Sequence, residues 1–384
     1  MFCKIVDNYG DIGVVLRLGK ELKKTLENKI NLRIIISKID ELIAINPKIK
    51  DLDYQEFNNI TYITNSYFEK NIQKLGVANL VIETFGCGIP DYYMELAYFN
   101  SEYILNLEYL TGEKWVNDFH MKESLLPKGS VKKYFYFPGF SEEAGGLVIR
   151  EQIRKKVNAH KEKYLKKYYG EFLNPEKKLK GTIFSYEKNF IPFFDALKKL
   201  DEEVILMIFS TKTQNSIKNI FNKKIFGNAY KYGKIEMKFS KFLSQDQYEE
   251  IINVSDFNFV RGEDSATMAV TSGKPFLWQL YPQENNTHME KLEGFLDTYT
   301  TFLNKNNKNI DDKNLTANLI KLFKDYNDKV DNYLDLGNES YLYFLKNIKN
   351  IERANIVFAD YLLSKCNLIN KLKSFIYEFL GGKK

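Results

Sequence analysis

The chain has 384 residues, of which 44% are hydrophobic and 28% charged, and it carries a net charge of +6 at pH 7. These values fit two globular domains rather than one, and they exclude a disordered or fibrous chain. No apolar run approaches the roughly 20 residues that span a bilayer. The three cysteines (Cys3, Cys87, Cys366) and three histidines (His120, His160, His288) are scattered, with no CxxC pair and no metal-ligand spacing. The cysteine usage fits a reducing cytoplasm. Carboxylates are left to carry any acid–base chemistry.

The amino-terminal run Met1-Phe2-Cys3-Lys4-Ile5-Val6-Asp7 lacks the basic region and apolar core of a signal peptide. It reads as a first strand at 2–6 that runs into a loop. The loop, Asp7-Asn8-Tyr9-Gly10-Asp11-Ile12-Gly13, precedes a helix at about 13–26. Gly10 and Gly13 permit tight turns and close backbone approach. Asp7 and Asp11 then project from one short loop. Such a pair can clamp a guanidinium or orient a hydroxyl, with one member as base. Equally, the two can be turn and N-cap residues.

Further strands are predicted at 32–36, 60–63, 79–82 and 103–107. Their alternation with helical patterns implies a parallel sheet covered by helices. Residues 150–180 follow, with 11 Lys/Arg against 4 Asp/Glu, a net of +7. That stretch reads as a solvated helical face or as a surface that steers an acidic partner.

A second series begins at 181. Strands are predicted at 182–185, 204–209, 235–242 and 257–260, with a helix at 190–200. Ser244-Gln245-Asp246-Gln247 has capping-box spacing for a helix that runs to about 254. The strand at 257–260 leads into Arg261-Gly262-Glu263-Asp264-Ser265, a strand-to-helix turn bearing a guanidinium, two carboxylates and a hydroxyl. A helix amino end of this kind suits phosphate, and the carboxylates suit sugar hydroxyls. The alternative is a surface turn with favourable first-turn charges. Gly273-Lys274-Pro275 ends that helix, a strand is predicted at 276–280, and from about 341 the chain reads as helical to its end. No dinucleotide fingerprint or Walker loop occurs. The pattern amounts to an α/β chain of two Rossmann-like halves, which bind ligands at the carboxyl ends of their strands.

Taken together, the segments resemble the EarP-type protein-arginine rhamnosyltransferases. The matching pieces are the loop at 7–13, Asn106-Leu107-Glu108-Tyr109-Leu110, Tyr134-Phe135-Tyr136-Phe137-Pro138-Gly139-Phe140, Phe184-Ser185-Tyr186-Glu187, Gln245-Asp246-Gln247-Tyr248, the turn at 261–265, Gly273-Lys274-Pro275-Phe276-Leu277-Trp278 and Tyr281-Pro282-Gln283-Glu284. They keep the family's order and cover residues 1 to about 295. Two departures stand out. Val14-Val15-Leu16 occupies the place where the family commonly has a Trp, and Tyr248 stands where members carry Phe or Tyr.

The resemblance implies a GT-B fold, with two Rossmann-like domains facing a central cleft. Residues 1–160 would be an acceptor-binding domain, onto which a C-terminal helix at about 355–384 packs back, and residues 175–350 a nucleotide-sugar-binding domain. It implies inverting transfer of rhamnose from dTDP-β-L-rhamnose to an arginine of translation elongation factor P, in the cytoplasm, without metal, cofactor, nucleic acid or membrane. Carried over residue by residue, Asp11 is the base, Asp7 its partner, and Glu263 supports the sugar or the reaction centre. Asp264 and Ser265 sit at the diphosphate and nucleotide end with Arg261 nearby. Phe184, Tyr186, Gln245 and Tyr248 line the thymidine pocket, and Tyr281 and Gly13 complete the substrate-binding set. The rival readings are a GT-B glycosyltransferase with another acceptor, a nucleotide-sugar epimerase of similar fold, and a non-catalytic module that binds acidic partners.

Overall fold

In a computed structural model, which describes residues 1–4, 10–221, 227–283, 286–306, 314–327 and 338–379, the chain divides into two α/β units. Asp7 lies outside the described residues, as do its neighbours at 5–9 and Glu284.

The first unit comprises residues 1–149 and 364–384. Its elements are β1 (Phe2–Cys3), α1 (Gly10–Leu26), β2 (Leu32–Ile36), α2 (Asp40–Ile45), β3 (Tyr54–Phe57), β4 (Ile60–Thr64), α3 (Asn65–Leu75), β5 (Leu80–Thr84), α4 (Asp91–Asn100), β6 (Tyr103–Leu107), α5 (Trp115–Phe119), β7 (Glu123–Ser124) and β8 (Lys132–Tyr136). The described strands run in the order β3-β4-β2-β1-β5-β6-β8-β7. The six inner strands are parallel, and β3 and β7 are antiparallel hairpin edges. Helix α1 is amphipathic, and its Ile12, Val15, Leu16, Leu22 and Leu26 are buried. The C-terminal helix Leu368–Phe379 closes over α1 and gives Leu368, Ile369, Leu372 and Phe375 to the same core.

The second unit comprises residues 150–363. Its elements are α6 (Glu151–Ala159), α7 (Lys161–Tyr169), β9 (Leu179–Ile183), α8 (Ile191–Lys198), β10 (Val204–Ile208), α9 (Thr211–Ile220), β11 (Ala229–Tyr232), β12 (Ile235–Phe239), α10 (Gln245–Val254), β13 (Phe257–Arg261), α11 (Gly262–Ser272), β14 (Phe276–Gln279), α12 (Thr287–Asn306), α13 (Leu315–Asn327), α14 (Asn338–Lys346) and α15 (Ile348–Lys365). The described strands run β11-β12-β10-β9-β13-β14, parallel but for the edge strand β11. Every residue of β10 is buried, which is why it reads as an unbroken apolar run. Gly181 in β9 lies against the ring of Phe257, where an added Cβ would come within 2.1 Å. The capping box at Ser244 forms as its spacing predicts, and Gly273 ends α11 in the left-handed region at φ 75°.

The basic stretch 150–180 is only partly a solvated face. Arg150, Lys178 and Lys180 are buried. Lys178 pairs with Glu236 at 2.8 Å and Glu203 at 3.1 Å, and Lys180 with Asp256 at 2.8 Å. Lys155, Lys167 and their exposed neighbours on α6 and α7 carry the solvated remainder.

Candidate active site

The carboxyl ends of the adjacent strands β9, β13 and β14 gather one set of side chains in the second unit. Phe184, Ser185 and Tyr186 follow β9. Thr213 pins this loop by accepting from the Ser185 N–H at 2.9 Å and donating to its carbonyl at 2.8 Å. The Gln279 side chain accepts from the Tyr186 N–H at 2.9 Å. From the end of β13 the Arg261 guanidinium lies over both rings, 4.5 Å from the centroid of Phe184 and 4.6 Å from that of Tyr186. It also donates to the Ser185 carbonyl at 3.3 Å. The Phe184 ring meets Tyr248 edge-on at 5.4 Å, Tyr248 meets Phe209 at 5.3 Å, and Tyr186 meets Tyr281 at 5.2 Å. Tyr248 is buried, and burial pushes its phenol well above the usual tyrosine range.

At the turn into α11, Gly262 takes φ 63°, a left-handed conformation that suits glycine. The side chain of Arg261, the residue before the helix, makes no capping bond. Ser265 instead bonds back to Arg261, donating to its carbonyl and accepting from its N–H at 3.2 Å. Asp264 accepts from Gln245 at 2.9 Å, and Glu263 pairs with Lys291 of α12. Gln245 opens α10, whose first turn is clamped by buried Arg150. That guanidinium donates to Glu249 at 2.7 Å, pairs with Asp246, and reaches the Gln245 carbonyl at 3.5 Å.

The first unit has its own polar cluster, at the carboxyl ends of the neighbouring strands β1, β5 and β6. Asp11 is in the first turn of α1 and is 3% exposed. Tyr109, two residues beyond β6, donates its hydroxyl to Asp11 at 3.2 Å. Its ring stacks on Phe85, at 4.5 Å between centroids and 15° between planes. Phe85 follows β5 with φ 58°, an unusual conformation for an aromatic residue, and its N–H donates to the Leu107 carbonyl at 2.6 Å. Asn106 donates to Glu108 at 2.7 Å, and burial raises the Glu108 carboxyl above the usual range.

The structure thus brings Phe184, Tyr186, Gln245, Tyr248, Arg261, Glu263, Asp264, Ser265 and Tyr281 together in the second unit. Asp11 and Gly13 lie in the first unit, and Asp7 falls among residues that are not described. Tyr109, Phe85, Gln279, Lys291 and Arg150 carry no role in the sequence reading. Tyr109 lies within the matching piece at 106–110 but had no assigned role there, and Phe85 is recognisable only as an aromatic directly after an apolar strand. Lys291 and Arg150 reach the site from segments distant in sequence and leave no local signature. Among the described residues no group of three or more His, Cys, Asp or Glu is placed to hold a metal ion. No described helix is long and apolar enough to cross a membrane.

The model of the family described as elongation-factor P (EF-P) rhamnosyltransferase EarP matches residues 1–377. The chain belongs to the EarP family. Among its relatives, the protein-arginine rhamnosyltransferase of Shewanella oneidensis is 31% identical over 329 residues, covering 78% of this chain and 80% of that one. The enzyme of the same name from Pseudomonas aeruginosa is 29% identical over 315 residues, covering 78% and 81%. A solved structure reported as the structural basis for EarP-mediated arginine glycosylation of translation elongation factor EF-P superposes with a TM-score of 0.62 at 20% identity, over 98% of each chain. This chain is therefore a glycosyltransferase with the two parallel-rich α/β units of the GT-B fold.

Proposed function

We propose that the protein transfers rhamnose from dTDP-β-L-rhamnose to an arginine side chain of translation elongation factor P, with inversion at the anomeric carbon, in the cytoplasm. The observation that carries this reading is the convergence, in an EarP-family chain, of an aromatic wall and a helix amino end on neighbouring strands. The wall of Phe184, Tyr186 and Tyr248 suits a thymine ring, with Gln245 at its edge. The first-turn N–H groups of α11, with Ser265 and Arg261, suit a diphosphate. Tyr281, packed on Tyr186, borders the same place.

The acceptor half rests on the first unit. An arginine is a poor nucleophile because it stays protonated and its lone pairs are delocalised. Asp11 takes a guanidinium proton as the nitrogen attacks the anomeric carbon and the bond from that carbon to the diphosphate oxygen breaks. Asp7 orients the guanidinium, Gly13 keeps the backbone beside Asp11 clear, and Glu263 steadies the sugar. The leaving dTDP carries off the bonding electron pair, and its charge is met by Arg261, Ser265 and the α11 amides. The residues present need no metal or cofactor for these steps.

The test is to incubate the protein with dTDP-β-L-rhamnose and purified elongation factor P and measure the intact mass of the acceptor. A gain of one deoxyhexose supports the reading. An unchanged acceptor, with donor present and protein folded, refutes it.

A further inference from the structure

Lys291 lies outside every motif that carries the family resemblance, yet it contacts the donor site. It projects from the second turn of α12, and its ammonium is held by Glu263, the second residue of α11. That places a cation at the same helix amino end that the proposed function gives to diphosphate. The start of α12 is fixed independently. His288, buried and three residues before Lys291, accepts from the Gln283 N–H at 3.3 Å, and its other ring nitrogen lies 3.4 Å from the Asn327 carbonyl. Residues three apart share a helix face, so the anchored histidine sets the direction in which Lys291 emerges.

The pair is also built to exchange partners. The Lys291 and Glu263 side chains are 22% and 20% exposed. The pair is therefore reachable from solvent, and a diphosphate offers more negative charge and more acceptor oxygens than one carboxylate. Asp264, the other carboxylate at this turn, accepts from the neutral amide of Gln245. Lys291 and Arg261 each place a cation at the turn.

We infer that Lys291 is a donor-binding residue that passes from Glu263 to the diphosphate of the nucleotide sugar, where it meets the charge left on dTDP as the sugar departs. The inference rests on the proposed donor site and adds a residue to it. The exchange also releases the Glu263 carboxylate toward the sugar.

The experiment compares calorimetric affinities for dTDP and for thymidine, which has no phosphate, in the full chain. The variants are Lys291→Met, Lys291→Arg, Glu263→Gln and the double variant Glu263→Gln/Lys291→Met. Loss of one charge-assisted contact is expected to weaken dTDP about tenfold or more in Lys291→Met, with thymidine within about twofold of the parent. Lys291→Arg is expected to keep most of the affinity. In the Glu263→Gln background the carboxylate charge is gone, so loss of Lys291 leaves no unpaired anion to disturb folding. The same phosphate-dependent loss is expected there. Unchanged dTDP affinity in that background, or equal losses for dTDP and thymidine, would overturn the inference and leave Lys291 as a strut for Glu263. A parent protein that binds no dTDP would overturn the donor site itself, and with it this role.

Discussion

The Tyr109 hydroxyl donates to Oδ1 of Asp11 across 3.2 Å, from a ring stacked on Phe85. One oxygen of the proposed base thereby accepts from a partly exposed side chain whose ring rests on Phe85. Tyr109→Phe keeps the stack and removes only the donor. Transfer to the acceptor is expected to fall about tenfold, the scale of one hydrogen bond to a charged group. The dTDP affinity is expected to stay at the parent value, because the proposed nucleotide site is built from the other unit. Steady-state kinetics beside calorimetry separates the two, and a variant with unimpaired transfer would remove Tyr109 from the acceptor site.

Phe184 backs the Arg261 guanidinium on one side and meets the edge of Tyr248 on the other. If thymine uses that wall, Phe184→Ala weakens dTDP binding by about 1–3 kcal/mol. Calorimetry on the folded variant checks this. A lower melting temperature with unchanged affinity would make Phe184 a packing residue only.

Much of this arrangement was legible in the sequence because its signals are local. Leu32–Ile36 and Tyr103–Leu107 form on their apolar runs, and Ser244 caps α10 through the spacing of four consecutive residues. The turn at Arg261 was readable because a buried strand gives way at once to charge and glycine. What the sequence withheld depends on distant segments. The antiparallel edges β3, β7 and β11 are short and partly exposed, with no strong alternation to mark them. Lys178, Lys180 and Arg150 look as solvated as the rest of 150–180 until Glu236, Asp256 and Glu249, from 58 to 99 residues away, are folded against them. The stack of Arg261 on Phe184 and Tyr186 likewise joins positions 75 and more residues apart, and periodicity carries no trace of it.

Arg150 is 4% exposed beside a Glu249 side chain that is equally buried. Arg150→Met leaves that carboxylate without its cation and is expected to cost about 3–5 kcal/mol of stability. The double variant Arg150→Met/Glu249→Met removes both charges and is expected to recover most of the loss. Thermal melts of the three proteins test this, and a single variant as stable as the parent would show the pair to be dispensable.

His120 adds a pH dependence. Burial, helped by nearby Lys371, lowers its imidazole from 6.5 to about 4. Its Nδ1 accepts from the Phe137 N–H, a bond that favours the neutral ring. Below about pH 6.5 the unfolded chain takes up a proton that the folded chain refuses until about pH 4. This group therefore makes stability fall as the pH drops through that window, and it adds no further loss below it. In melting curves recorded across the window, His120→Gln is expected to show a shallower slope than the parent. Parallel slopes would contradict the assignment.

The proposed reaction joins a base in one unit to a donor site in the other, and one assay reports on both. Elongation factor P is incubated with dTDP-β-L-rhamnose and either the parent protein or Asp11→Asn, then digested and sequenced by tandem mass spectrometry. With the parent, one deoxyhexose is expected on a single arginine. With Asp11→Asn, which is expected to bind dTDP as the parent does, the modified peptide is expected to drop by at least about 10²-fold in rate. A deoxyhexose on any other side chain, or near-normal modification by Asp11→Asn, would contradict the reading.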